Sequence, residues 1–206
     1  MTQNDRIHAS PAVTTQSALG REPADVPEPS GRPGRLEAAE LSRPSLRILV
    51  ANEQSAIPVD PERLQSAARS VLGDSCYSAG MLSIAVVDDT TIHQLNRQFL
   101  GHDYPTDVLS FVLENRRPYL EGELILSGDT ALHNAAEYGW PAEDELLLYV
   151  VHGCLHLVGY CDQEPAERAE MLAAELAHLR MLQIGLPTNP ARWLGQVQET
   201  LGEGST

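Results

Sequence analysis

The residues with the clearest capacity for chemistry lie in the stretch HGCLHLVGYCDQ, which begins at His152. His152 and His156 are four residues apart, so on a helix their imidazoles lie one above the other and can bind one ion. Gly159 predicts the end of that helix, and the turn after it can carry Cys161 or Asp162 back towards the same ion. The spacing therefore predicts a metal site built from one helix and its exit loop, with a position open to water.

Two other interpretations of the histidine pair have to be weighed. Histidines at this spacing also occur as an ordinary packed pair that binds nothing. Zinc peptidases of the HExxH type place a glutamate directly after the first histidine to act as a base, but here that residue is Gly153. A peptidase of that type is therefore disfavoured, while the metal site and the packed pair both stay open on spacing alone.

Polar residues outside this stretch are further candidates. Thr106 and Asp107 precede a predicted strand, where they either orient a substrate or a metal ligand, or form a turn that satisfies its own backbone. Glu145 shares a helix face with His152 and either supports the site or favours the helix N-terminus. Four more histidines have no partner at a telling spacing, so we expect surface or hydrogen-bonded side chains: His93, His102, His133 and His178.

The chain is strongly acidic. It has 29 Asp and Glu against 14 basic side chains, all of them arginine, for a formal net charge of −15. Residues 45–185 contain 21 of the acids and 8 of the arginines, a difference of −13. Such a surface repels a polyanion unless a local basic patch or a basic partner intervenes.

Length and composition predict one ordinary cytoplasmic domain. The chain has 206 residues and is 42% hydrophobic, which fits a single globular core. No apolar run approaches the roughly 18 residues of a membrane span, and the first residues, MTQNDRIHAS, lack the layout of a secretory signal. The three cysteines are an odd number without paired spacing, which is typical of a reducing compartment.

Three regions follow from changes in pattern along the chain. Residues 1–44 contain six of the 14 prolines and no sustained apolar period, so we predict a disordered N-terminal arm. Residues 45–185 are the predicted domain. Residues 186–206 are a predicted tail, in which Trp193, Val197 and Leu201 either dock or fray.

Hydrophobic periods within the domain predict strand, helix, strand, helix, two strands and then three helices. The two successive strands are separated by Arg116, Arg117 and Pro118, which suits a hairpin or a short connection. Asp60 and Asp89 are predicted to begin the first two helices. The order lacks the regular alternation of a doubly wound fold, so we predict an α+β domain with one sheet covered by helices.

Two blocks of the sequence resemble the signatures of one known family. HGCLHLVGYCD resembles HGxLHLxGYDH of the YbeY family of endoribonucleases, and LNRQFLGHDYPTDVLSF, residues 95–111, resembles that family's LNxxYRxxDxPTDVLSF. Glu145, Met171 and Glu175 agree with residues that the family tends to carry. The resemblance covers roughly residues 46–183.

This resemblance implies a single domain with a small mixed β-sheet, several helices and one divalent ion, expected to be zinc, held by three side chains. It also implies a single-strand-specific, metal-dependent endoribonuclease that acts in 16S rRNA 3′-end processing and ribosome maturation. The expected partners are ribosomal RNA and the small ribosomal subunit, reached through a basic ribosomal protein, and neither DNA nor a membrane.

The chain departs from the family at the expected third ligand. Aligned without gaps, Cys161 falls on the family's aspartate and Asp162 on its third histidine. We favour Asp162 as the ligand beside His152 and His156, because Cys161 would have to point the opposite way and carboxylate is an ordinary zinc ligand. Cys161 stays the alternative.

A second departure removes a basic side chain. The arginine of LNxxYR, to which the family's activity is attributed, corresponds to Leu100, and leucine cannot make a bidentate phosphate contact. Arg97, near the same helical face, either substitutes for it or is solvated surface. Arg97, Thr106 and Asp107 form our predicted substrate-binding set, and no catalytic group beyond the ion and its water is assigned.

Two other functions stay open because of these departures. One is a ribosome-assembly factor of the same fold that binds without cutting. The other is a metal-dependent hydrolase of a different substrate, suggested by the acidic surface.

Overall fold

The computed structural model describes residues 13–14 and 45–189. In that part of the chain, strands and helices follow in the predicted order after one additional short strand. The strands are β1 (Val13–Thr14), β2 (Leu46–Asn52), β3 (Ala79–Val87), β4 (Val108–Arg116) and β5 (Tyr119–Ser127). The helices are α1 (Pro61–Asp74), α2 (Asp89–Leu100), α3 (Gly128–Tyr138), α4 (Ala142–Val158) and α5 (Pro165–Met181).

The five strands form one mixed sheet in the order β1-β4-β5-β3-β2. β4 and β5 are antiparallel and form the expected hairpin through Arg117 and Pro118, whereas every other neighbouring pair is parallel. A single mixed sheet packed against helices confirms the predicted α+β fold class. No described helix is long and apolar enough to cross a membrane.

β1 lies inside the range predicted to be a disordered arm. Val13 and Thr14 pair with Phe111 and Val112 on the edge of β4. The other residues of 1–44 lie outside the described part of the chain, as do residues 190–206 with Trp193, Val197 and Leu201. The division at residues 45 and 185 therefore stays a prediction.

Local signals place the ends of the helices. The Asp60 side chain accepts hydrogen bonds from the first turn of α1, as predicted. The cap of α2 is Asp88 and not Asp89, which is already the first helical residue. Gly159 ends α4 as predicted, because its φ of 108° is a conformation that L side chains rarely adopt.

α4 runs through the core and packs against β4, β5 and three other helices. Gly153 lies in tight contact with side chains of the sheet. A Cβ there would lie 2.8 Å from Leu124 Cδ2 and 3.0 Å from Ser110 Oγ. A glutamate has no room at this position, which is a physical reason why the chain does not follow the HExxH pattern.

Candidate metal centre

α4 brings the two predicted histidines together near its C-terminal end. The Nε2 atoms of His152 and His156 are 3.0 Å apart, and the ring planes are nearly perpendicular, at 88°. Both side chains are largely buried, with 15% and 3% of their surface exposed. The four-residue spacing therefore places both imidazoles at one point, as predicted.

The exit loop, residues 159–164, carries Asp162 to the same point. Its Oδ2 lies 3.9 Å from His152 Nε2 and 3.7 Å from His156 Nε2. The three ligand atoms all lie within 4.8 Å of one another. Cys161 is exposed and does not belong to this group. The structure thus gathers the predicted set of His152, His156 and Asp162, while metal binding itself stays a prediction.

The other nitrogen of each imidazole fixes its tautomer. His152 Nδ1 lies 2.6 Å from the buried Glu175 carboxylate, and His156 Nδ1 lies 3.0 Å from the Tyr160 carbonyl. Carboxylate and carbonyl oxygens only accept hydrogen bonds, so both Nδ1 atoms carry hydrogen and donate. Both Nε2 lone pairs then face each other and the Asp162 carboxylate. This convergence of acceptors fits a cation, and hydrogen-bonded imidazoles of this kind are typical of metal-binding histidines.

The same surroundings move the two imidazole pKa values in opposite directions. Burial alone would lower the pKa of His152, but the hydrogen bond and charge of Glu175, with the charges of Asp107 and Asp162, raise it. Burial and the neighbouring His152 lower the pKa of His156. The two imidazoles therefore differ in how readily they take up a proton, and a bound proton would compete with a cation for the same Nε2 atoms.

Asp107 and Thr106 lie at the start of β4. The charge of Asp107 is one of the influences that raise the pKa of His152. Its Oδ1 accepts from the Val108 N–H at 2.8 Å and from the Thr106 hydroxyl at 3.1 Å. Its main-chain carbonyl accepts from the Ser127 N–H at 2.9 Å. The Pro-Thr-Asp turn thus satisfies its own backbone, and a role for Thr106 and Asp107 in orienting a substrate or a metal ligand stays a prediction.

Arg97 lies on the exposed surface of α2. Its side chain is 73% exposed, and Nη1 is 3.9 Å from Asp103 Oδ1. Leu100, at the family's arginine position, packs with the buried Val87, Ile92 and Leu109. Arg97 is therefore solvent-exposed in this structure, as one of the two alternatives predicted. Its contact with substrate stays a prediction.

Two other side chains that the sequence singled out are buried. Glu145 lies in the first turn of α4, where an acid favours the helix N-terminus, and it accepts a hydrogen bond from Trp140 Nε1 at 2.5 Å. His178 Nδ1 lies 3.1 Å from Ser70 Oγ, which agrees with the expected surface or hydrogen-bonded histidine.

Glu175 is the functional side chain to which the sequence assigned no role. Its carboxylate is buried at an inward position of α5, on the same face as Met171 and His178. An acid at an inward position of an amphipathic helix needs a buried partner, and that was the available signal. The partner, His152, lies 23 residues earlier, and no local pattern connects the two.

The fold and the site define a class: α+β domains in which a core helix and its exit loop gather two imidazoles and a carboxylate as a candidate metal centre. The family follows from comparison. The family model described as Endoribonuclease YbeY matches residues 49–183, and the chain belongs to this family.

Two relatives with the same description agree with this assignment. An Endoribonuclease YbeY from Rhodopirellula baltica is 48% identical over 128 residues, which are 61% of this chain and 66% of the relative. One from Syntrophotalea carbinolica is 38% identical over 138 residues, 63% of this chain and 92% of the relative. The solution structure of TM1509 from Thermotoga maritima aligns at 26% identity with a TM-score of 0.48, over 77% of this chain and 99% of that one.

Proposed function

We propose that this chain is a metal-dependent endoribonuclease that hydrolyses phosphodiester bonds in single-stranded RNA. The observation that carries the proposal is the convergence of His152, His156 and Asp162, with both imidazoles oriented by fixed acceptors. The family supports RNA as substrate, since its relatives are named endoribonucleases.

Zinc is the proposed ion. Two imidazole nitrogens and one carboxylate oxygen are a donor set that zinc uses at catalytic sites, where three protein ligands leave a position open. When bound, a divalent ion supplies a Lewis acid that polarises a phosphoryl oxygen and lowers the pKa of water. His152, His156 and Asp162 would hold it.

The chain's own residues around the centre would bind and orient the substrate. Among the described residues, both hydrogen bonds to the Asp107 side chain fall on Oδ1, so Oδ2 is able to accept from a water or a ribose hydroxyl beside His152. The exposed Arg97 guanidinium is accessible to an RNA phosphate further along the strand.

The proposed biological substrate is the 3′ end of 16S rRNA in the cytoplasm, within the maturing small ribosomal subunit. The acidic chain, with a net charge of −15, supports recruitment through a basic ribosomal protein, which would offset the repulsion of RNA.

One observation favours a second candidate, an assembly factor that binds the subunit without cutting. Leu100 packs against the small apolar cluster of Val87, Ile92 and Leu109. The residue at the family's arginine position therefore makes apolar contacts and offers no phosphate contact. The two candidates differ in a single measurable step, the cleavage of RNA.

The test uses purified full-length protein whose zinc content is measured. It is incubated with single-stranded RNA, duplex RNA, 16S rRNA precursor and assembled small subunits, beside His156→Ala and a control, His133→Ala, which changes an exposed histidine of α3. We expect cuts in single-stranded RNA that disappear in His156→Ala and persist in His133→Ala. Zinc and subunit binding without cleavage would support the assembly factor, and inertness towards every RNA would favour a different hydrolase substrate.

A further inference from the structure

The exit loop owes its position to hydrogen bonds from two helices. On the α4 side, the Tyr160 N–H donates to Leu155 O at 3.0 Å, and Tyr160 O accepts from His156 Nδ1 at 3.0 Å. These contacts hold the first half of the loop. Asp162 follows two residues later, and its side chain is the only third ligand that the described residues offer to the histidine pair.

The second half of the loop is held by the first turns of α5. Glu167 Oε2 accepts from the N–H groups of Gln163 and Glu164 at 3.2 and 3.0 Å. Arg168 Nη1 donates to the carbonyl of Gln163 at 2.6 Å and to that of Asp162 at 3.3 Å. Arg168 is therefore the side chain that binds the main chain of the ligand residue itself.

We propose that Arg168 is a positioning residue for Asp162, and that its hold on the exit loop sets the affinity of the centre for its cation. This inference rests on the proposed function only in taking the three ligands as a metal site. Arg168 does not touch the ion, and it acts through the loop.

The short side chain of Asp162 explains why the hydrogen bonds from Arg168 to the loop main chain are needed. An aspartate side chain is shorter than the histidine of the family at this position, so its oxygen reaches the two Nε2 atoms only if the loop backbone stays close to α4. Ligand distances in metal sites tolerate only about 0.2 Å of error. A loop displaced by about 1 Å would therefore withdraw Asp162 from the ion.

The positive charge of Arg168 has the opposite effect on cation affinity from its hold on the loop, so the two effects have to be measured separately. A guanidinium near the centre repels a divalent ion, so removing it would strengthen binding if charge were its main influence. That repulsion is screened by salt, with a Debye length of about 10 Å at 0.1 M and about 3 Å at 1 M. A positioning effect persists at both ionic strengths.

The experiment compares Arg168→Met, which keeps the apolar stem but has no donor, with Arg168→Lys, which keeps the charge and a point donor. Arg180→Met is the matched control, because Arg180 is an exposed arginine in the last turn of the same helix. Zinc affinity of each full-length protein is measured by competition with a chromogenic chelator in 0.1 M and 1 M salt. The visible spectrum of the Co²⁺-loaded protein reports the ligand geometry.

We expect Arg168→Met to bind zinc about 10 to 100 times more weakly at both salt concentrations, the usual effect of losing a group that orients a ligand. Its cobalt spectrum should change, Arg168→Lys should be intermediate, and Arg180→Met should match the parent. Unchanged or tighter zinc binding by Arg168→Met, or an equal loss in Arg180→Met, would overturn the proposal.

Urea unfolding of the metal-free proteins separates positioning from folding. If Arg168→Met does not fold, Arg168→Lys decides, and parent-like affinity and spectrum in that variant would count against the proposal. Because no RNA is present, the outcome is distinct from that of the nuclease test. A parent protein that binds zinc but cuts no RNA contradicts the proposed function and leaves the role of Arg168 standing.

Discussion

Glu175 connects two helices through one hydrogen bond at the centre. The 2.6 Å contact fixes the ring of His152 and directs its Nε2 lone pair at His156 and Asp162. A negative carboxylate behind an imidazole also makes that imidazole a better electron-pair donor. We therefore expect Glu175 to contribute to metal affinity without contacting the ion.

Glu175→Gln tests this contribution. Glutamine can still accept the His152 Nδ1 hydrogen but removes the charge, so we expect zinc affinity to fall about tenfold with the fold intact. The measurement is a zinc competition titration beside Glu170→Gln, an exposed acid on the same helix. Equal affinities for the two variants would show that the carboxylate charge is irrelevant to binding.

At the scale of elements, α4 fits against the sheet because it carries a glycine where side chains of the sheet lie in tight contact with it. Gly153 lies between the two ligand histidines, so any displacement of α4 at this point also displaces the centre. The 2.8 Å and 3.0 Å approaches to Leu124 and Ser110 leave no space for a methyl group.

Gly153→Ala is expected to destabilise the protein by about 1 to 3 kcal/mol, the usual cost of overpacking a core. Urea unfolding measures the change. The matched control is Gly73→Ala, because Gly73 lies within α1 and a Cβ there meets nothing within 4 Å. We expect that control to be neutral or to stabilise the protein by up to about 1 kcal/mol. A Gly153→Ala variant as stable as Gly73→Ala would contradict the tight packing.

Local patterns in the sequence predicted most elements and two of the three residues of the candidate centre, because periodicity, capping and helical spacing act over a few residues. Asp162 needed the ungapped comparison with the family signature. The contacts that complete the centre connect distant residues, such as Glu175 with His152, and no local pattern encodes them. β1 was missed for the same reason, since two residues acquire a strand conformation only by pairing with β4.

At the scale of the whole molecule, the excess of acidic residues limits the number of contacts that the chain can make with RNA phosphates. Residues 45–185 have 8 arginines against 21 acids, so few phosphates can be neutralised at once. Proteins that make six to ten phosphate contacts lose about 10³ to 10⁵ in nucleic-acid affinity between 50 and 200 mM salt.

We expect this chain to lose less than about tenfold in affinity for single-stranded RNA over the same salt range, because it releases few counterions. Fluorescence anisotropy with a labelled single-stranded RNA and the His156→Ala variant, in which we expect cleavage to be lost, measures the dependence. A loss of 10³ or more would reveal a basic surface that the net charge conceals.

The position of Glu175 on α5 also sets the earliest point in synthesis at which its hydrogen bond with His152 can form. The sheet and helices α1 to α3 precede every ligand in the chain, and Glu175 follows His152 by 23 residues. At about 5 to 20 residues per second, a ribosome needs roughly 1 to 5 s to add that interval. The sheet and helices α1 to α3 are thus synthesised before the candidate ligands, and the hydrogen bond from His152 to Glu175 can form only after this further interval.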